Sequence, residues 1–145
     1  MFRIQLFQPR DLKRILQIEA EAFHEHAWPA DLLQRYARAC NDLFLVARIN
    51  RAIAGYSITC RMKQRAELVS IAVLDRFQGQ GVARKLLNHT LGKLKPKRIG
   101  VLMLTVRRDN LSAIRLYRDY GFVRTRTIPA YYEDGGTGWR MQKTL

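Results

Sequence analysis

The chain has 145 residues, 48% of them hydrophobic, which is enough for one compact domain with its own core and too few for two ordinary domains. Its formal net charge of +14 suits a polyanion, an acidic protein or an anionic cofactor, and by itself selects none of them. Arg3, Arg10, Asp11 and Lys13 interrupt the opening segment and no long apolar run follows, so neither a leader nor a membrane-spanning helix is expected, and the expected location is cytoplasmic.

Phe2, Ile4 and Leu6 alternate as a strand, and Pro9 and Asp11 open a helix with Leu12, Ile15, Leu16, Ile18 and Ala22 on its apolar face. Pro29-Ala30-Asp31 starts a second helix through Leu32, Leu33 and Tyr36. Two strands, Leu43 to Ile49 and Ile53 to Met62, are joined by a tight turn at Asn50-Arg51 and read as a hairpin. Another strand ends at Val73, after which a helix carries Val82, Ala83, Leu86, Leu87, Leu91 and Leu94 at helical spacing. A buried strand from Ile99 to Val106, a helix opened by Asn110, and two closing strands, Phe122 to Pro129 and Trp139 to Leu145, complete the order. No linker or repeat interrupts it, and the order describes a mixed α/β sheet with helices on both faces.

Cys40 and Cys60 do not form a C-x-x-C motif, and no cluster of His, Cys and Asp has metal-ligand spacing. Reduced thiols and no metal are expected, with His24 and His26 read as solvated surface.

Chemistry concentrates where the strand ending at Val73 passes through Gln78-Gly79-Gln80-Gly81 into a helix N-terminus. The first turn of a helix has unpaired N–H groups and a partial positive charge, and glycines let a ligand approach the backbone, so the turn suits a diphosphate. An ordinary tight strand-to-helix turn uses glycines in the same way. A Walker loop would need Gly-Lys-Ser/Thr where Gly81 is followed by Val82 and Ala83, and the dinucleotide fingerprint lacks its third small residue and later acid.

Gln78-x-x-Gly81-x-Ala83 resembles the acetyl-coenzyme A loop of the GNAT N-acetyltransferase superfamily. Asn110-x-x-Ala113-x-x-Leu116-Tyr117-x-x-x-Gly121-Phe122 resembles its second hallmark, and the order of elements agrees from end to end. The resemblance implies an α/β GNAT fold over one domain, residues 1–145. Its sheet would be mixed and mostly antiparallel, with about seven strands, flanked by about four helices and splayed between the fourth and fifth strands. Acetyl-coenzyme A is the implied cofactor, held by Ile71, Ala72 and Val73 on the strand, by Gln78, Gly79, Gln80, Gly81, Val82, Ala83 and Arg84 in the loop and first helical turn, and by Asn110 and Tyr117.

Within the superfamily the chain is most similar to the RimI-like protein N-terminal acetyltransferases. Ala22-Phe23 with Trp28-Pro29, Ser70-Ile71-Ala72-Val73, and Tyr131-Tyr132-Glu133-Asp134-Gly135 carry that likeness. Phe23, Trp28, Tyr131 and Tyr132 are then implied to line the acceptor site. The likeness ends at Gly136-Thr137-Gly138-Trp139, where the branch usually has an acidic residue and alanine.

The implied reaction is direct attack of a neutral amine on the thioester, with backbone groups of Ile71 and Val73 aligning the donor. Tyr117 corresponds to the tyrosine that protonates the leaving sulfur. The glutamate that RimI-like enzymes often carry on the buried strand is Thr105 here, which leaves Glu67, similar in placement to the base of the histone-acetyltransferase branch. An α-amine of pKa near ~7.8 costs about 1 kcal/mol to present neutral at pH 7 and a lysine near ~10.4 about 4.6 kcal/mol, so a weak base favours an N-terminal acceptor. A small amine or lysine is the alternative acceptor, and a noncatalytic basic module on RNA or another polyanion the alternative outside enzymes. The charge also allows a ribosomal or acidic partner.

Overall fold

The computed structural model describes residues 2–145. Among them are seven strands and four α-helices, the strands joined in one mixed sheet of order β1-β2-β3-β4-β5-β7-β6. These are β1 Phe2–Leu6, β2 Phe44–Ile49, β3 Ala52–Met62, β4 Arg65–Val73, β5 Val101–Arg107, β6 Val123–Ile128 and β7 Gly138–Thr144, with α1 Leu12–Phe23, α2 Ala30–Ala39, α3 Val82–Leu94 and α4 Leu111–Asp119. The chain resolves into two compact units, one of residues 1–60 and 69–97, the other of residues 61–68 and 98–145.

In the first unit the period of two along β2 sorts side chains onto two faces. Phe44 and Val46 pack with Ile15 and Ile18 of α1 and Leu33 of α2, whereas Leu45 and Ala47 pack with Val82 and Leu86 of α3. Helices therefore cover both faces, as the order of elements implied. Asp11 is 3% exposed, accepts from the Gln8 N–H at 2.9 Å and pairs with Arg48, which satisfies an otherwise costly buried carboxylate. At the β2–β3 pairing the register shifts between Ala47 and Arg48, so that Ala47 faces Gly55 and Arg48 faces Ile53.

The Cys40 and Cys60 sulfurs are joined, with Cα atoms 5.2 Å apart, so the expected reduced thiols are corrected to a disulfide. A separation of 20 residues in sequence carried no signal of this pairing; it arises because the end of α2 meets the partner strand of the β2–β3 hairpin.

In the second unit β4 runs parallel to β5 over Arg65–Glu67 against Val101–Met103. From Val69 onward β4 belongs to the first unit, while β5 continues antiparallel to β7 as far as Arg107. The β4–β5 ladder is thus limited to these three residues of each strand. Several boundaries differ by one to three residues from the sequence reading, those of β2 and β5 among them. Asn41–Leu43 form a 3-10 turn, so β2 starts at Phe44, and positive φ at Arg98 delays β5 to Val101.

Candidate active site

In the first unit β4 ends at Val73 and Asp75–Phe77 make a 3-10 turn before the glycine segment. Gly79 and Gly81 have φ of +78° and +79°, and Gly81 is the N-cap of α3, its carbonyl receiving the Lys85 N–H at 3.0 Å. Among the described residues beyond its immediate chain neighbours, nothing lies within 4 Å of a Cβ built at either glycine, so the backbone conformation rather than crowding calls for them. The first turn of α3 holds no acidic residue, and Arg84 and Lys85 follow Val82 and Ala83 there. An open cradle, a helix N-terminus and nearby cations fit a diphosphate.

The Gln78 side-chain amide donates to the Val73 carbonyl at 3.4 Å and to Asp75 Oδ1 at 3.3 Å, and Gln80 donates to the Arg76 carbonyl at 3.4 Å. Both glutamines thus brace the turn from outside it and both are exposed. Ile71 and Val73 lean to the α3 side of β4, and Ala72 to the α1 and α2 side. On that second side Trp28 stacks on Tyr36 with ring centroids 5.0 Å apart, whereas Phe23 is 37% exposed at the end of α1.

The second unit holds the remaining candidates. Asn110 caps α4, its side chain accepting the Ala113 N–H at 3.2 Å, as the sequence implied. Tyr117 lies on the inner face of α4, 5% exposed, edge-on to Phe122. Burial, with a smaller contribution from Tyr132, pushes its phenol far above the ordinary tyrosine range, so it is protonated at neutral pH and has a proton to give. Glu67 closes the β4–β5 ladder opposite Met103, half-buried, and its carboxylate has no hydrogen-bond or ion-pair partner among the described residues.

Tyr131 and Tyr132 meet edge to face, 4.9 Å between centroids, in the loop before β7. The Arg107 guanidinium lies 4.1 Å from the Tyr132 ring centre and 3.1 Å from the Asp134 carboxylate. Burial raises the Tyr132 phenol, as does Tyr131, with Arg107 opposing. A Cβ at Gly136 would meet Arg107 Nη1 at 2.5 Å, and one at Gly138 would meet Thr105 and Tyr131 at 3.2 Å. The departure Gly136-Thr137-Gly138 therefore lets this loop lie directly against Arg107 and Thr105. Thr105 Oγ1 is buried with no hydrogen-bond partner among the described residues, and the position that carries glutamate in the resembled branch offers no base here.

Sequence reasoning missed a buried polar line in the first unit. Glu19 on α1, 1% exposed, accepts the Trp28 N–H at 2.9 Å and the Tyr56 hydroxyl, and Tyr56 lies 3.1 Å from Ser70 Oγ. Glu19 was legible only as a polar residue between Ile18 and Ala20 on an apolar face; its partners lie nine, 37 and, through Tyr56, more residues away. Among the described residues no group of three metal-ligating side chains occurs, and no helix is long and apolar enough to cross a membrane.

Residues 11–145 match the acetyltransferase (GNAT) domain family. The N-alpha-acetyltransferase RimI of Mycobacterium tuberculosis is 31% identical over 87% of this chain and 81% of its own length. The ribosomal protein bS18-alanine N-acetyltransferase of Escherichia coli is 31% identical over 91% of this chain and 88% of its own. The Mycobacterium leprae protein ML0378, 33% identical over 88% of this chain, is a longer protein of which only 36% is matched. Among solved structures, Ard1 from Thermoplasma volcanium superposes with a TM-score of 0.94 at 27% identity, over 99% of this chain and 97% of that one.

Proposed function

The chain belongs to the GNAT acetyltransferase family and is an acetyl-coenzyme A-dependent N-acetyltransferase, and from that premise we propose that its acceptor is the α-amino group of a protein or peptide N-terminus. The observation that carries the acceptor class is the tyrosine pair Tyr131 and Tyr132, set edge to face and buttressed by Arg107. The relatives at 31% identity, named for N-terminal and ribosomal-protein alanine acetylation, support it. The two compact units act together as one catalytic domain, a reading supported by a single family match from residue 11 to residue 145.

Bound acetyl-coenzyme A supplies an acyl group already activated as a thioester. Main-chain N–H groups of the first turn of α3, entered through Gly81, hold its diphosphate, with Gln78, Gly79 and Gln80 shaping the turn and Val82, Ala83 and Arg84 lining it. Main-chain groups of Ile71, Ala72 and Val73 align the pantetheine arm, and Asn110 fixes the start of the helix that carries Tyr117. Tyr117, a buried and protonated phenol, gives a proton to the departing sulfur. Phe23, Trp28, Tyr131 and Tyr132 line the acceptor, and Glu67 is the base candidate inherited from the family resemblance.

The absence of glutamate at Thr105 favours an amine that needs little help to lose its proton, which an N-terminus is and a lysine is not. The charge of +14 is in keeping with ribosomal or otherwise anionic surroundings, and a cytoplasmic location, where nascent N-termini meet acetyl-coenzyme A, goes with that reading. The test is an acceptor panel of peptides beginning Ala, Ser or Met, peptides with internal lysines and blocked N-termini, and polyamines. Acetylation of free N-termini at rates at least tenfold above the others is expected. Preference for lysine or polyamine would replace the acceptor class, and tight salt-sensitive RNA binding with no thermal shift by acetyl-coenzyme A would remove the enzyme reading.

A further inference from the structure

Glu19, Tyr56 and Ser70 form one hydrogen-bonded line across three elements of the first unit. The Tyr56 hydroxyl on β3 donates to Glu19 Oε1 on α1 and lies 3.1 Å from Ser70 Oγ on β4, while the other carboxylate oxygen accepts the Trp28 N–H at 2.9 Å. Glu19 and Tyr56 are 1% and 0% exposed, and Ser70 is the half-exposed end of the line.

Counting protons fixes the direction of every bond. A carboxylate only accepts and a hydroxyl has a single proton to give. The Tyr56 proton is committed to Glu19, so Ser70 is the donor in its bond to Tyr56, and the lone pairs of Ser70 Oγ are left at the open end. Two successive hydroxyl donors point inward to one buried base. Ser70 immediately precedes Ile71 on the strand read as aligning the donor, and it shares the α1 and α2 side of β4 with Ala72, the side on which Trp28 packs.

We propose that Ser70, Tyr56 and Glu19 are a proton relay that takes the proton of the acceptor amine, with Glu19 as its terminal base. The proposal rests on the N-terminal acetyltransferase reading and names the residues that replace the glutamate missing at Thr105. In the step, an N–H bond of the ammonium breaks as an O–H bond forms at Ser70 Oγ. The Ser70 proton passes to Tyr56 and the Tyr56 proton to Glu19 Oε1. The products are a neutral amine, whose lone pair attacks the thioester carbonyl, and a neutral carboxylic acid, which returns its proton to solvent by the same line after acetyl transfer. Ser70 is the catalytic residue in contact with the amine; Tyr56 and Glu19 act through it.

The surroundings suit a base that must be strong without being paired. Burial raises the proton affinity of Glu19 and the Trp28 N–H opposes it. Residues 52–60 of β3 and 69–73 of β4 carry no charged side chain. On α1 and α2 the nearby charges, Glu21, Asp31, Arg35 and Arg38, are exposed, and Tyr36 is stacked on Trp28. Among the described residues no cation pairs with the carboxylate, so nothing there holds it in its charged form.

The experiment measures kcat/KM of the full chain for a peptide with a free N-terminal alanine between pH 6.5 and 9, for the parent, Ser70→Ala, Tyr56→Phe and Glu67→Gln, with the acetyl-coenzyme A thermal shift read in parallel. Ser70→Ala and Tyr56→Phe are expected to lose about tenfold at pH 7 and to recover to within about threefold of the parent at pH 9, where an α-amine of pKa about 7.8 is already mostly neutral. Their thermal shift is expected to match the parent, and Ser70→Ala carries the test alone if Tyr56→Phe does not fold. A loss of equal size at every pH, or a pH-dependent loss confined to Glu67→Gln, overturns the relay and leaves N-terminal acetylation standing. Absence of parent turnover on any free N-terminus removes both.

Discussion

Gly55 faces the Ala72 carbonyl so closely that an added Cβ would lie 2.5 Å from that oxygen and 3.2 Å from Val73 Cα. The contact is main chain on both sides, so nothing flexible can yield, and it sits behind the residues proposed to align the pantetheine arm. The adjoining Leu74 N–H to Ala54 carbonyl bond, 2.8 Å, holds the same approach. Gly55→Ala is therefore expected to destabilise the protein by about 1–3 kcal/mol in chemical denaturation and to raise KM for acetyl-coenzyme A. An unchanged KM would mean that β4 can shift without disturbing the donor.

Two glycines of α3 and its cap are expected to respond with opposite sign. Gly81 has φ of +79° with nothing within 4 Å of a Cβ, so Gly81→Ala costs about 1–2 kcal/mol through backbone strain alone and weakens acetyl-coenzyme A binding by calorimetry. Gly92 lies within α3 at negative φ and in open space, so Gly92→Ala stabilises by about 0.4–1 kcal/mol and leaves binding unchanged.

Tyr117→Phe is expected to lower kcat by about 100-fold or more with acetyl-coenzyme A affinity retained, since only the proton donor is lost. Because its phenol is held above 10.0, the folded chain keeps a proton that the unfolded chain releases, so stability is fully present below pH 10 and falls as pH rises beyond it. The slope from this group is about 1.4 kcal/mol per pH unit and is expected to disappear in Tyr117→Phe, measured by denaturation between pH 9 and 11.5. An equal alkaline decline in both proteins would place Tyr117 in contact with solvent.

The Cys40–Cys60 link closes a loop of 20 residues between α2 and β3. Reduction, or replacement of both cysteines by serine, is expected to cost about 3 kcal/mol, read as a lower melting temperature in dithiothreitol. A melting temperature independent of reductant would show that the thiols are unpaired in solution.

The order of elements was legible because each segment carries its own period, and so was the Asn110 cap, whose partner Ala113 is three residues away. The turn from Val73 to Val82 was legible for the same reason: glycines, strand and helix are neighbours in sequence. The site was legible only in part. Glu19, Tyr56 and Ser70 each looked like an isolated polar residue in an apolar run, and Gly55 like an ordinary strand glycine. Thr105 told which residue of the resembled branch is missing, and no local pattern pointed to the Glu19 line.

The sequence by itself determined the strands, helices and the glycine turn before α3, because hydrophobic period, capping and glycine placement act over a few residues. Tertiary structure alone decided the disulfide, the close approach of Gly55 to Ala72 and the contacts that join Ser70, Tyr56 and Glu19. Each depends on burial and on distances between residues of different elements, and those are properties of the packed chain that no stretch of it contains.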